Sequence, residues 1–230
     1  MTKRFRESFE EMLDALRAHP KIEVFETIVR PPVSGAAIRA AEKLLGRELP
    51  EDVIDFYVAH DGIFLSWGLK DREYDSKAIE PFGCPDYGTP PGVINLLPIG
   101  EAFSSGWIAE GTINWTDDDH RVIYGVGPDD DEDTRVHAVV IDYFSKFYHA
   151  DLVFGPVDRP GYVLIADDHG AELLESNLSS FSTYLDVVLA CWGAERMPMY
   201  KVARYPEPKE IHEPKSRPTL DEVIAEAEME

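Results

Sequence analysis

Cysteine is nearly absent from this chain of 230 residues: Cys84 and Cys191 are the only two, and they lie far apart. That spacing excludes a disulfide framework and a CxxC metal knuckle, and it predicts two reduced thiols. No stretch approaches the roughly 20 consecutive apolar residues of a membrane-spanning helix. The charged segment Met1 to Arg17 has no apolar core of signal-peptide length, so a cytoplasmic location without membrane association is expected. Basic residues are the third scarcity, with 22 Lys and Arg against 44 Asp and Glu for a formal net charge of −22. A chain of this sign repels a phosphate backbone and an anionic membrane surface. Nucleic acid is therefore not an expected partner, and a basic protein is the electrostatically favoured one.

What remains is globular in character, with 44% hydrophobic and 11% aromatic residues, enough at this length for a core that needs neither metal nor disulfide. The charge is unevenly spread. Asp117 to Asp133 holds eight acids against Arg121, and Pro206 to Glu230 holds eight against Lys209, Lys215 and Arg217, so the two stretches supply −7 and −5 of the −22. Two readings stand side by side for such runs: solvated loops, or a docking region for a cationic surface.

Along the chain, Phe5, Phe9, Met12, Leu13 and Leu16 recur at helical spacing until His19-Pro20. A short extended stretch follows at Ile22 to Val29. Ile38, Ala41, Leu44 and Leu45 give a second helical face, entered at Ser34 and closed by Gly46 as a left-handed cap. Leu49-Pro50-Glu51-Asp52 opens a third helix, with Pro50 in the first turn and acids near the positive dipole end. Asp61-Gly62 turns that helix into a strand, Ile63 to Trp67. Arg72 to Gly92 holds four prolines and three glycines and reads as a long loop. Strands are expected at Val93 to Leu97, Arg121 to Val126, Val136 to Tyr143, Leu152 to Phe154 and Tyr162 to Ala166, and helices at Glu101 to Ile108 and around Phe181 to Leu189. The strand spacing predicts an α+β fold with an antiparallel sheet flanked by helices rather than βαβ crossovers. Residues 1–30 read as an amino-terminal helix and connector, 31–196 as a single domain, and 197–230 as a Pro-rich acidic tail with a short helix capped by Thr219 and Glu222. The tail is expected to add few core contacts, so that a chain ending near Arg196 still folds.

Ile38, Glu42, Leu45-Gly46, Leu49-Pro50, Phe56-Tyr57 and Asp61-Gly62 together resemble the opening motif of the SUKH superfamily. In that motif an Ile-x3-Glu-x2-Leu-Gly helix runs into Leu-Pro, a Phe-Tyr helix and Asn/Asp-Gly. Weaker agreement continues at Ile94 to Pro98 and Ser180 to Leu189. The resemblance implies a domain that acts by protein contact, like bacterial immunity proteins encoded beside secreted toxins or fungal regulators of cell-wall assembly. It also implies that Ile38, Glu42, Gly46, Pro50, Phe56, Tyr57 and Gly62 are structural.

Catalytic and metal signatures are weak. There is no Gly-x-Ser-x-Gly nucleophile turn, and Cys191, between Ala190 and Trp192, reads as a buried inert thiol. Asp129, Asp131 and Asp133 match the first three ligand positions of an EF-hand loop, but Thr134 stands where glycine is needed and Val140 where glutamate is needed. Asp167-Asp168-His169-Gly170 reads as a polar hairpin turn, and the Gly125-Val126-Gly127 turn is followed by acids that repel a pyrophosphate. No cofactor and no metal are expected, and no enzymatic activity. The expected partner-binding residues are Trp115, as an aromatic anchor, with Asp117, Asp118, Asp119, Asp129, Asp130, Asp131, Glu132 and Asp133. Two functions fit these observations: immunity-type neutralisation of a cationic toxin domain, or a cytoplasmic adaptor or regulatory scaffold of the same fold.

Overall fold

The computed structural model describes residues 2–75, 79–103, 108–109, 137–146, 148–154, 162–167, 179–194, 196 and 217–229. Their elements are α1 (Thr2–Ala18), β1 (Ile22–Val29), α2 (Gly35–Leu45), α3 (Glu51–Ala59), β2 (Ile63–Leu69), β3 (Gly92–Leu96), α4 (Ile99–Ala102), β4 (Ile108–Ala109), β5 (His137–Tyr143), β6 (Tyr148–Phe154), β7 (Tyr162–Asp167), α5 (Phe181–Ala190) and α6 (Leu220–Ala227). The seven strands form one sheet in the order β1-β2-β3-β5-β6-β7, with β4 also beside β5. Every pairing is antiparallel, so the fold is α+β with an antiparallel sheet and flanking helices.

Side chains alternate across a strand, and directly paired residues share a face. The registers Leu65↔Ile94, Ile63↔Leu96 and Leu96↔Asp142 therefore define one continuous face, which Ala150, Leu152 and Val163 extend. The helices cover it. The apolar stripe of α1, from Phe5 to Leu16, is buried there, and Phe56 of α3 meets Phe5 of α1 and Phe181 of α5 edge to face at 6.1 and 5.4 Å between centroids. On the opposite face, Phe64, Ser66 and Asn95 are covered by the loop that follows β2, where Phe82 packs on Phe64 and its N–H donates to Asn95 Oδ1 at 3.0 Å. Covering on both faces is why all seven residues of β2 are buried, a pattern an exposed antiparallel strand would not show. The outer strand β1 carries Glu23 and Glu26 and a bulge between Val24 and Glu26, devices that blunt an open sheet edge.

Local chemistry sets the helix ends. Ser34 and Ser180 cap α2 and α5 by accepting from the N–H groups of Ala37 and Thr183, and Thr219 with Glu222 forms a reciprocal capping box on α6. Several boundaries differ from the sequence reading: β2 runs on to Leu69, and β6 begins at Tyr148 rather than at Leu152. Pro50 is the N-cap of α3 and Glu51 its first helical residue. The helix expected at Glu101 to Ile108 starts earlier, at Ile99, because Asp61 Oδ1 accepts the Ile99 N–H at 2.9 Å, while Ile108 belongs to β4 and pairs with Val139. The strand expected at Arg121 to Val126 lies outside the described residues.

The expectation that the tail adds few core contacts is corrected. Val223, Ile224 and Ala227 of α6 are buried in the same apolar cluster as α1 and the sheet, Lys21 pairs with Glu228 at 2.6 Å, and Trp192 Nε1 donates to the Pro218 carbonyl at 3.2 Å. The apolar stripe of α6 is short but has no reason to leave water unless it docks. Ending the chain at Arg196 is therefore expected to cost about 3–5 kcal/mol from re-exposed aliphatic surface, read as a lower urea midpoint. His60 gives a second expectation: it is buried beside Phe56, and burial, followed by the charge of Arg6, pushes its pKa below the ordinary 6.5. The unfolded chain then takes up a proton that the folded chain refuses, so stability is full above pH 6.5 and falls as pH drops through the depressed folded value. His60→Phe should flatten urea-derived stability between about pH 6.5 and 5 relative to the parent.

Candidate functional site

The seven motif residues are brought together as one corner of the fold. Ile38, Phe56 and Tyr57 are buried, and the Tyr57 hydroxyl donates to the Leu97 carbonyl at 3.0 Å, with its pKa pushed up by burial and by the neighbouring Asp61. Glu42 Oε1 accepts the Leu49 N–H at 3.3 Å, holding the turn between α2 and α3. Gly46, with φ 70°, adopts the left-handed cap and donates to the Glu42 carbonyl. Gly62 has φ 93°, and a Cβ there would lie 2.7 Å from the Leu96 carbonyl oxygen, so glycine is required on both counts. Each motif side chain packs, caps or spans a turn.

Next to this corner lies a buried polar cluster. Asp142 of β5 is fully buried and accepts from the Asn95 N–H at 2.8 Å, the Tyr184 hydroxyl at 2.6 Å and Arg196 Nη2 at 2.9 Å. Arg196 is itself 1% exposed. It also donates to the carbonyls of Val93, Gly193 and Ala194, and its guanidinium lies 3.9 Å from the centre of the Phe144 ring. Burial works against the guanidinium charge, yet Asp142 and Tyr184 outweigh it and hold the pKa above its ordinary value. Asn95 completes the cluster, donating from Nδ2 to the carbonyls of Gly83 and Tyr143. Its members come from β3, β5, α5 and the segment after α5, so the cluster locks elements together rather than presenting groups to a ligand.

Two clefts open among the described residues, one of about 270 Å³ on the helix side between Ser8, Met12, Leu189, Trp192 and Pro218, and one on the loop-covered face. The latter, of about 400 Å³, opens between β1, β2 and the loop, with apolar walls from Phe25, Phe64, Tyr74, Ile79 and Pro90. Its polar lining is Glu26, Ser66, Arg72 and Asp75. Tyr74 is fixed there because its ring lies over Gly68, where a Cβ would come within 2.4 Å of the ring, and its hydroxyl accepts the Leu69 N–H at 3.1 Å. Further along the same face His149 Nε2 sits 3.3 Å from Asp151 Oδ2, and Tyr143 stacks on the imidazole at 5.3 Å.

Trp115, Asp117, Asp118, Asp119, Asp129, Asp130, Asp131, Glu132 and Asp133, the residues expected to bind a partner, all lie outside the described residues. Sequence reasoning missed Asp142, Arg196 and the cleft. A usable signal for the first was a lone acid inside the apolar run Val139-Val140-Ile141-Asp142-Tyr143; for Arg196 there was none. Cys191 is buried and Cys84 exposed, both free thiols. Among the described residues no group of three or more His, Cys, Asp or Glu is placed to hold a metal ion, and no helix is long and apolar enough to cross a membrane. No protein-family model matches the chain, and no curated protein matches it.

Because Arg196 is the only cation on Asp142 among the described residues, removing it strands a buried carboxylate. Arg196→Met is expected to destabilise the fold by about 3–5 kcal/mol, measured by urea unfolding. In a double-mutant cycle with Asp142→Asn the two losses should be far from additive.

Proposed function

We propose that this protein is a non-catalytic, cytoplasmic binding protein of immunity type, and that it neutralises a basic toxin domain by direct contact. The observation that carries the reading is charge: −22 overall, with −7 concentrated in the seventeen residues from Asp117 to Asp133. Such a concentration attracts a basic surface over about one Debye length, roughly 10 Å at 0.1 M salt, and repels nucleic acid and anionic lipid. The motif shared with the SUKH superfamily supports the same reading. Its residues are consumed by turns, caps and packing, leaving recognition to the loops, where binding residues commonly sit on a rigid scaffold.

The test is capture of partners from the native cell, followed by production of the captured protein in a second host with and without this chain. A basic protein that arrests growth, and growth restored by co-expression, is the expected result. A captured partner that is harmless to the host would instead favour the adaptor reading.

With the partner in hand, charge and anchor separate kinetically. Neutralising Asp129, Asp130, Asp131, Glu132 and Asp133 should slow association and flatten its dependence on salt, because steering raises association towards about 10⁸ M⁻¹s⁻¹. Trp115→Ala should act mainly on dissociation. Surface plasmon resonance across a salt series reads both. An unchanged association rate of the neutralised variant at low salt would mean that the acidic run is a solvated loop.

A further inference from the structure

We propose that α6 is a detachable strap: it leaves the folded body as one unit while the sheet and the other helices stay in place. Its own hydrogen bonds are met internally. Thr219 and Glu222 close the capping box at its start, and at its end the N–H groups of Glu228 and Met229 donate to the carbonyls of Ile224 and Glu226. Among the described residues, no main-chain hydrogen bond joins residues 217–229 to another element. The ties to the body run through side chains.

Trp192 Nε1 donates to the Pro218 carbonyl where the strap begins, and His19 Nε2 lies 3.3 Å from Asp221 Oδ1. At the far end Lys21 Nζ meets Glu228 Oε1, and Arg72 Nη2 donates to the Glu228 carbonyl at 2.7 Å. The Asp221 side chain is 89% exposed, and those of Lys21 and Glu228 are about half exposed, so water replaces these ion pairs at little cost. Burial supplies the rest of the docking through one narrow stripe, Val223, Ile224 and Ala227, against five buried apolar residues on α1. The cleft of about 270 Å³ between Ser8, Met12, Leu189, Trp192 and Pro218 lies at the leading end, which therefore lacks close packing.

The body holds its shape at each of these points without the strap. The Lys21 carbonyl takes the Lys70 N–H at 2.9 Å, and the Arg72 N–H goes to the Leu69 carbonyl at 3.2 Å, which fixes the end of the β1–β2 pair. The Trp192 carbonyl takes the Trp67 indole N–H and the Gly193 carbonyl the Val93 N–H at 2.8 Å, so the reversal after α5 survives loss of the Pro218 carbonyl. A helix of eight residues does not persist alone in water. Release and melting of α6 are therefore one event, and the open chain presents Val223, Ile224 and Ala227 beside the carboxylates of Asp221, Glu222, Glu226 and Glu228.

Amide hydrogen exchange of the full chain, followed by NMR in native buffer and at low urea, tests the strap. The amides of Val223, Glu228 and Met229, each bonded within the helix, are expected to exchange through one shared opening. Their rate should exceed that of β2, a strand paired on both sides, by at least about 10-fold, with a shallower urea dependence because less surface is exposed. Ile141→Val, a mild loss in the buried sheet, should speed exchange of β2 by roughly 2- to 10-fold and leave α6 unchanged. Ile224→Ala, in the docking stripe itself, should speed exchange of α6 by at least about 10-fold. Three results would each overturn the proposal: α6 amides that follow β2 in rate, urea slope and response to Ile141→Val, which would mean that the helix leaves only on global unfolding; α6 amides without protection in the parent chain, which would mean that it is not docked; or α6 exchange indifferent to Ile224→Ala.

Discussion

The main chains of β3 and β5 meet at a single registered pair, Leu96 and Asp142, supported by the Leu97 N–H on the Ile141 carbonyl at 2.9 Å. The rest of that seam is closed by side chains: the Asp142 carboxylate takes the Asn95 N–H that a strand carbonyl would otherwise accept, and Asn95 Nδ2 donates to the Tyr143 carbonyl. A carboxylate withdrawn from water is tolerated only when paired and fully hydrogen-bonded, and Arg196 and Tyr184 meet that condition here. Joining the two parts of the sheet thus depends on delivering Arg196 to one point. Delivery requires a sharp reversal after α5, achieved with Trp192 and Gly193 both at positive φ, 59° and 74°. Trp192 accepts that conformation while its carbonyl takes the Trp67 indole N–H at 2.7 Å. Trp67 in turn lies over Gly92, where any Cβ would collide with the indole.

The two faces of the sheet answer to different constraints. The helix side is a closed apolar layer in which Phe5, Phe56, Phe181 and Tyr57 interlock edge to face, and a change of volume there is felt throughout. The loop side is built from turns, with Asn95 holding Phe82 and Gly83 by side-chain hydrogen bonds. Phe82 sits at φ 62°, a conformation that a bulky residue adopts only when its surroundings fix it. Polar fastening of a loop leaves room for aromatic walls and carboxylates beside it, and the cleft lined by Phe25, Phe64 and Tyr74 lies on this side.

Much of the fold was legible because its signals are local. Ser34, Ser180 and Thr219 announce their helices through side-chain oxygens that accept nearby N–H groups, and Gly46 and Gly62 mark turns by the one property glycine has alone. The β-branched runs at Ile63, Val93 and Val139 gave strands within a few residues. What escaped is what depends on distance in the chain. The apolar stripe Val223-Ile224-Ala227 shows an amphipathic helix without saying where it docks, and Arg196 is the last residue of the stretch read as the domain, with nothing in its neighbours to mark it as buried. The cleft arises from a one-residue slip of β1 against β2 at Phe25, which no propensity reports. The acidic residues singled out for binding were visible as charge alone, and charge by itself does not say what it stands beside in the fold.

The 54 residues that separate Asp142 from Arg196 have a consequence for how the chain comes off the ribosome. Synthesis is vectorial and early segments begin to organise first, so β1, β2, β3 and β5 all exist before the guanidinium that neutralises their shared carboxylate. Until residue 196 emerges, closing the seam would bury an unmatched negative charge, and the nascent sheet is better served by leaving Asp142 in water. A pairing that spans 54 residues makes closure of this seam a long-range step, whose loop must be closed before the contact repays it.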